Sequence, residues 1–189
     1  PEEKINVLQV TLPTNFKAAR FESDEATAML RRLQADIEAI RFDVGGEKIE
    51  LPVKLKVHDS IFAPLAKWAM LLAGNYRCVT ADGPRAIREA VHADVAESRA
   101  VYDWVREVCM TLGAKEEDLV PFEKYAAAAQ GLARPSSAAR ALFAGAHNIE
   151  RVDKLVQAIA AQQGKRNAIV DAAVALVDAK LEDNRKKAA

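Results

Sequence analysis

Near residue 58 the apolar side chains of this chain stop recurring at every second position and begin recurring at every third or fourth. That change divides the chain, because alternation buries one face of a strand, whereas the longer period buries one stripe of a helix. Leu8, Val10 and Leu12 alternate with Gln9 and Thr11 up to Pro13, which predicts a strand ending at the proline. Ser23 or Asp24 can cap a helix in which Leu30, Leu33, Ile37 and Ile40 keep helical spacing. Ile40, Phe42 and Val44 then alternate up to Gly45-Gly46, and Ile49, Leu51, Val53, Leu55 and Val57 alternate beyond it. Two such runs about a Gly-Gly pair predict a β-hairpin, with Pro52 restricting the second run to an edge or a bulge. A strand, a helix and a hairpin make too small a sheet to stand alone. They need the helical part, another chain or a preceding domain to complete it.

After His58 every predicted element is helical. Ser60 and Pro64 open a helix to Gly74 or Asn75. Asp82-Gly83-Pro84 supplies a cap and a first-turn proline for a long helix ending near Gly113, with Ile87, Val91, Val95, Tyr102, Val105 and Cys109 inward. Further helices are predicted over 116–130, 135–144, 149–163 and 167–181, with Gly131, Gly145 and Gly164 at helix C-termini and a charged, frayed tail over 183–189. Half the residues are hydrophobic but many of these are Ala, and aromatics make up 6 %, which fits close-packed helices with few large rings.

The 27 basic residues balance 27 acidic ones, and a chain without a basic excess is a poor candidate for nucleic acid or an anionic membrane surface. The most apolar stretch, 61–73, is too short to span a bilayer and carries Lys67 in its middle. Cys78 and Cys109 lack metal-type spacing, the thiol usage of a reducing cytoplasm, and no metal site is expected. The chain opens on Pro1 rather than Met, as expected of a boundary inside a longer protein.

Common catalytic signatures are missing: there is no G-x-G-x-x-G, P-loop, H-E-x-x-H or nucleophile elbow. His58, His92 and His147 show no ligand spacing. Lys67 differs from the other lysines, because apolar residues flank it on nearly every side of its helix. An ammonium held there would lose hydration and become a better proton donor, or it would snorkel to solvent. Asn75 follows eight residues later, a little over two turns, and so projects from roughly the same face. Arg134-Pro135-Ser136-Ser137 leads into an Ala-rich helix and reads as an N-cap. Asn148 can cap the next helix, with Glu150 and Asp153 in its first turn.

Taken in order, Lys67 with Asn75, Ser136-Ser137 and Asn148-Ile149-Glu150 resemble the C-terminal half of the ketopantoate reductase (2-dehydropantoate 2-reductase) family. The resemblance covers roughly 58–182, and residues 4–57 are similar to the close of the family's nucleotide-binding domain. It implies a mainly α fold, a 6-phosphogluconate dehydrogenase C-terminal-like helical domain over 58–189. Before it, over 1–57, would stand a small β-α-β-hairpin remnant of a Rossmann domain. It further implies an NADP-dependent oxidoreductase of pantothenate biosynthesis that reduces a small 2-oxo acid, with the coenzyme bound mainly by a domain preceding residue 1. In that scheme Lys67 is catalytic, stabilising charge on the carbonyl oxygen and donating the proton, worth about 3–4 kcal/mol in a closed cleft. Asn75 and Ser136 bind substrate, and Asn148 or Glu150 contacts its hydroxyl. Three departures from the family pattern stand out, the first being that the Gly-rich dinucleotide fingerprint is missing, so this chain alone is not expected to reduce anything. Leu71 occupies a position where the family usually has asparagine, and Asn148 falls, by ungapped spacing, where it has a substrate-binding glutamate. The competing reading is a non-catalytic all-α interaction or dimerisation module. The Ala-rich helices would suit a homodimer, and ordinary core packing explains them equally.

Overall fold

The structure, a computed structural model, describes residues 14–188 and divides the chain into two compact units, 1–64 and 65–189. The period change had put that division at 57/58. The strand expected over Leu8 to Leu12 lies outside the described residues.

In the first unit, β1 (Thr14–Ala19) pairs in parallel with β4 (Val53–His58), with Phe16 opposite Leu55 and Ala18 opposite Val57. Between them come α1 (Asp24–Ala39) and the antiparallel hairpin β2 (Arg41–Val44) and β3 (Glu47–Glu50), which forms a separate two-stranded sheet. Ser23 caps α1, its hydroxyl accepting from the Ala26 N–H at 3.2 Å. Gly45 and Gly46 take φ of +65° and +92°, the left-handed pair that a two-residue hairpin turn needs. The alternating run beyond the turn is not one strand. It stops at Glu50 and resumes at Val53 with a different partner, because Pro52 brings no N–H to a ladder. Gln34 ties α1 to β4 by accepting from the Val57 N–H at 2.8 Å.

The second unit is all helical apart from one isolated β-bridge, Val79 to Pro84. It contains α2 (Ala66–Met70), α3 (Ile87–His92), α4 (Val95–Thr111), α5 (Phe122–Ala129), α6 (Ser137–Phe143), α7 (Val152–Gln162) and α8 (Ala168–Ala188). The long helix expected to Gly113 is broken at Ala93-Asp94. The Asp94 carboxylate accepts from the Glu97 N–H at 2.8 Å and so starts α4 afresh, and Val95 lies exposed rather than inward. The helix expected from 116 begins only at Phe122, after Pro121, with Glu116–Asp118 in a separate 3₁₀ turn. The tail does not fray at 183: α8 continues to Ala188, where the side-chain amide of buried Asn184 donates to the Leu142 and Ala146 carbonyls. Val101, Tyr102, Val105, Val108 and Cys109 of α4 form the middle of the core, with Tyr102 stacked on Tyr125 and edge-on to Phe122. No helix among the described residues is long and apolar enough to cross a membrane.

Candidate functional site

The candidate residues meet around the segment from Ala66 to Cys78, which changes helical type twice. It is α over Ala66–Met70, π over Leu71–Asn75 and 3₁₀ over Tyr76–Cys78. The Tyr76 N–H donates to the Leu71 carbonyl five residues back, which is the π step. In an unbroken α-helix, eight residues would place Asn75 about 80° around the axis from Lys67. A π turn absorbs one extra residue, which brings the two to within about 20° of one line, still about 12 Å apart along the axis. The segment buries Ala66, Ala69, Leu72, Ala73 and Tyr76 along one stripe.

Lys67 falls outside that stripe and is exposed. The expectation of an ammonium stripped of water by its apolar neighbours is therefore corrected. Those neighbours turn into the core, and the lysine side chain reaches solvent. Asn75 is half-buried. Ser136 is 2 % exposed and both sides of its hydroxyl are engaged: it donates to the Asn75 carbonyl at 2.7 Å and accepts from the Ala139 N–H at 3.2 Å, capping α6. The serine thus grips the backbone of Asn75 from a position 61 residues away. Glu150 has an exposed carboxylate, but its carbonyl accepts from the Tyr76 hydroxyl at 2.7 Å, next to Asn75 in the chain. Asn148 is exposed and accepts from Arg185 Nη2 at 3.2 Å, so it belongs to the contact between the 147–151 loop and the end of α8. The helix expected from 149 starts at Val152, which leaves Glu150 in the loop before it while Asp153 does lie in the first turn.

Several residues that organise this region carried no signal in the sequence. Tyr76 accepts from the Val152 N–H at 3.0 Å as well as donating to Glu150, and burial pushes its hydroxyl up to about pKa 12. Arg151 grips Asp153 two-pronged, with both bonds at 2.9 Å, and also bonds Asp178, which Lys154 meets at 2.9 Å. Burial works against the Arg151 charge, but the two carboxylates outweigh it and hold the guanidinium above its usual range. Burial likewise opposes the Asp178 charge, and Lys154 and Arg151 together hold that carboxyl below its usual range. The neighbouring Arg77 is buried. It donates to the Ala73 carbonyl at 3.3 Å and to the Ser98 hydroxyl at 2.7 Å, and pairs with Glu97. Tyr76 and Arg77 thus tie the segment to the 150–152 stretch and to α4.

A depression of about 220 Å³ lies elsewhere in the second unit, lined by Trp104, Ala161, Lys165, Arg166 and Asn167 among others, and none of the five candidate residues lines it.

The described residues of the first unit do not fit an NADP pyrophosphate. The turn from β1 into α1 is Arg20-Phe21-Glu22-Ser23, without the glycine that close backbone approach requires. The first turn of α1 carries Asp24 and Glu25, which repel an anion where a phosphate would sit, and Arg20 is engaged by Asp24 at 2.8 Å. Comparison with protein-family models, curated proteins and solved structures finds no match for this chain.

Proposed function

We propose that the second unit is the substrate-binding helical part of a ketopantoate reductase-like oxidoreductase, in a 6-phosphogluconate dehydrogenase C-terminal-like arrangement. It works in the cytoplasm on a small 2-oxo acid and draws reducing power from NADPH held outside the residues described here. The observation that supports this reading is convergence: the Ser136 hydroxyl and the Glu150 carbonyl, both far from Lys67 in sequence, are bonded to Asn75 and Tyr76 on the helix that bears it. Lys67 and Asn75 stand near one line about 12 Å apart along the axis, farther than a small 2-oxo acid is long, so in this reading the lysine side chain extends along the helix to bring its ammonium to an acid held at the Asn75 amide. Ser136 acts here by fixing the Asn75 backbone, with its own hydroxyl already engaged. Glu150 is exposed and joined to Tyr76 through its carbonyl, so in this reading its carboxylate, or the exposed Asn148 two residues earlier, meets the substrate hydroxyl. Lys67 is exposed, and its charge would act more strongly on a bound acid that displaces water from around it.

Calorimetric titration of the chain with ketopantoate, 2-oxoisovalerate and pyruvate tests this. At least one acid should bind, and Lys67→Ala and Asn75→Ala should each weaken it about tenfold or more with the melting temperature held. Asn148→Glu should favour ketopantoate, since a carboxylate is the stronger hydrogen-bond acceptor for its hydroxyl. Absence of binding for all three acids by a folded chain would end the reading.

A second reading is favoured by the exposure of Lys67: a non-catalytic all-α interaction or dimerisation module. Sedimentation velocity separates the two. A stable homodimer that binds none of the acids supports the module, and a chain that binds an acid whatever its mass supports the reductase part.

A further inference from the structure

The π turn at Leu71–Asn75 has a visible cause. The hydroxyl of Tyr125, on α5, reaches into the helix and donates to the Met70 carbonyl at 3.1 Å, where the ladder changes step. It can approach so closely because residue 74 is glycine. A Cβ there would lie 1.9 Å from the Tyr125 hydroxyl oxygen and 3.2 Å from both the ring carbon bearing it and a Val91 methyl. The ring cannot easily retreat, since it is buried and stacked on Tyr102 with centroids 5.3 Å apart. Polar insertion into the hydrogen-bond ladder is a recognised origin of such irregular turns. The insertion occurs immediately before Asn75, so everything C-terminal to it is rotated by about one residue, roughly 100°, relative to Lys67.

We propose that Tyr125 is the positioning residue of the candidate site: its hydroxyl wedges the helix open at Gly74 and holds Asn75 on the line of Lys67. Without the wedge the segment closes to a plain α-helix and the Asn75 amide swings off that line. The effect on ligand rests on the 2-oxo-acid reading, but the wedge itself does not.

The test uses the labelled full chain and Tyr125→Phe, which keeps the ring and its stacking on Tyr102 and removes only the hydroxyl. In the native chain, coupling through the hydrogen bond should link the Tyr76 amide nitrogen to the Leu71 carbonyl carbon. In Tyr125→Phe the partner should become the Leu72 carbonyl, with resonance changes concentrated over 70–76 and on the Asn75 side-chain amide. Ketopantoate affinity should fall about tenfold while the melting temperature stays close to native. Gly74→Ala provides a second approach. Its methyl must expel the hydroxyl, so it should produce the same change of bonding partner, and Tyr125→Phe in that background should add little. Coupling that stays on Leu71 in Tyr125→Phe overturns the wedge, and a switched partner with unchanged ketopantoate affinity overturns the positioning role. A switched partner in a chain whose native form binds no ketopantoate upholds the wedge and removes the reductase reading instead.

Discussion

The two units treat their large apolar side chains in opposite ways. In the second, Tyr102, Phe122, Leu142 and Val156 are almost entirely removed from water. In the first, Phe16, Met29, Leu33, Phe42 and Val44 are exposed, Met29 by 70 %. A bundle can cover the apolar stripe of each helix with helices of the same unit, and α4 is surrounded in that way. A pair of parallel strands flanked by one helix cannot do this, because parallel sheets are ordinarily covered on both faces and two strands leave two open edges. Stability of the second unit is thus internal, whereas among the described residues of the first unit the β1–β4 pair and the hairpin have only α1 as a covering layer.

The strongest challenge to that contrast is Tyr102→Ala. Emptying the middle of the aromatic cluster should cost about 3–5 kcal/mol in denaturant unfolding, and a cost near zero would mean the second core is not built around it. Asp153→Ala should follow at about 3 kcal/mol, because it leaves the partly buried Arg151 guanidinium short of its two-pronged partner. Tyr76 sharpens the picture through pH. Its folded pKa of about 12 lies above the unfolded value near 10, so the stabilising contribution is complete below pH 10 and declines as pH rises toward 12. Tyr76→Phe should therefore lose less stability than the native chain over that interval, by about 2 kcal/mol, when both are unfolded in urea at a series of pH values. Ser136→Ala removes a cap and the bond to the Asn75 carbonyl and should cost about 1–2 kcal/mol. At the bottom of the series, Met29→Ala in the first unit should change stability by less than about 0.5 kcal/mol, and a large loss there would erase the difference between the units.

Local chemistry made part of this molecule legible. The Gly45-Gly46 turn, the Ser23 cap and the Ser136 cap each depend on a few neighbouring residues, and each stands where its residue types place it. What escaped the sequence depends on distant partners or on competition between equal periods. The runs before and after Pro52 share one alternation, so nothing local shows that Val53–His58 leaves the hairpin to pair with Thr14–Ala19. The helical period passes through Asp94 unchanged, although its carboxylate ends one helix and begins another. For Lys67, counting apolar neighbours concealed which way they face, and only the packed stripe through Ala66, Ala69, Leu72 and Ala73 shows that the lysine turns outward. The site was legible as separate pieces. Ser136 reads as a cap and Asn75 as a helix-end amide, but the bond between them, and the tyrosine hydroxyl that rotates Asn75, arise from tertiary packing alone.

A crystal structure of the chain grown in saturating ketopantoate examines the whole account at once. The acid should lie on the outer face of residues 66–76 at the Asn75 amide, with the Lys67 ammonium drawn within hydrogen-bond reach of it. Ketopantoate seated instead in the depression beside Trp104, or a helix face that holds only water at saturation, would contradict it.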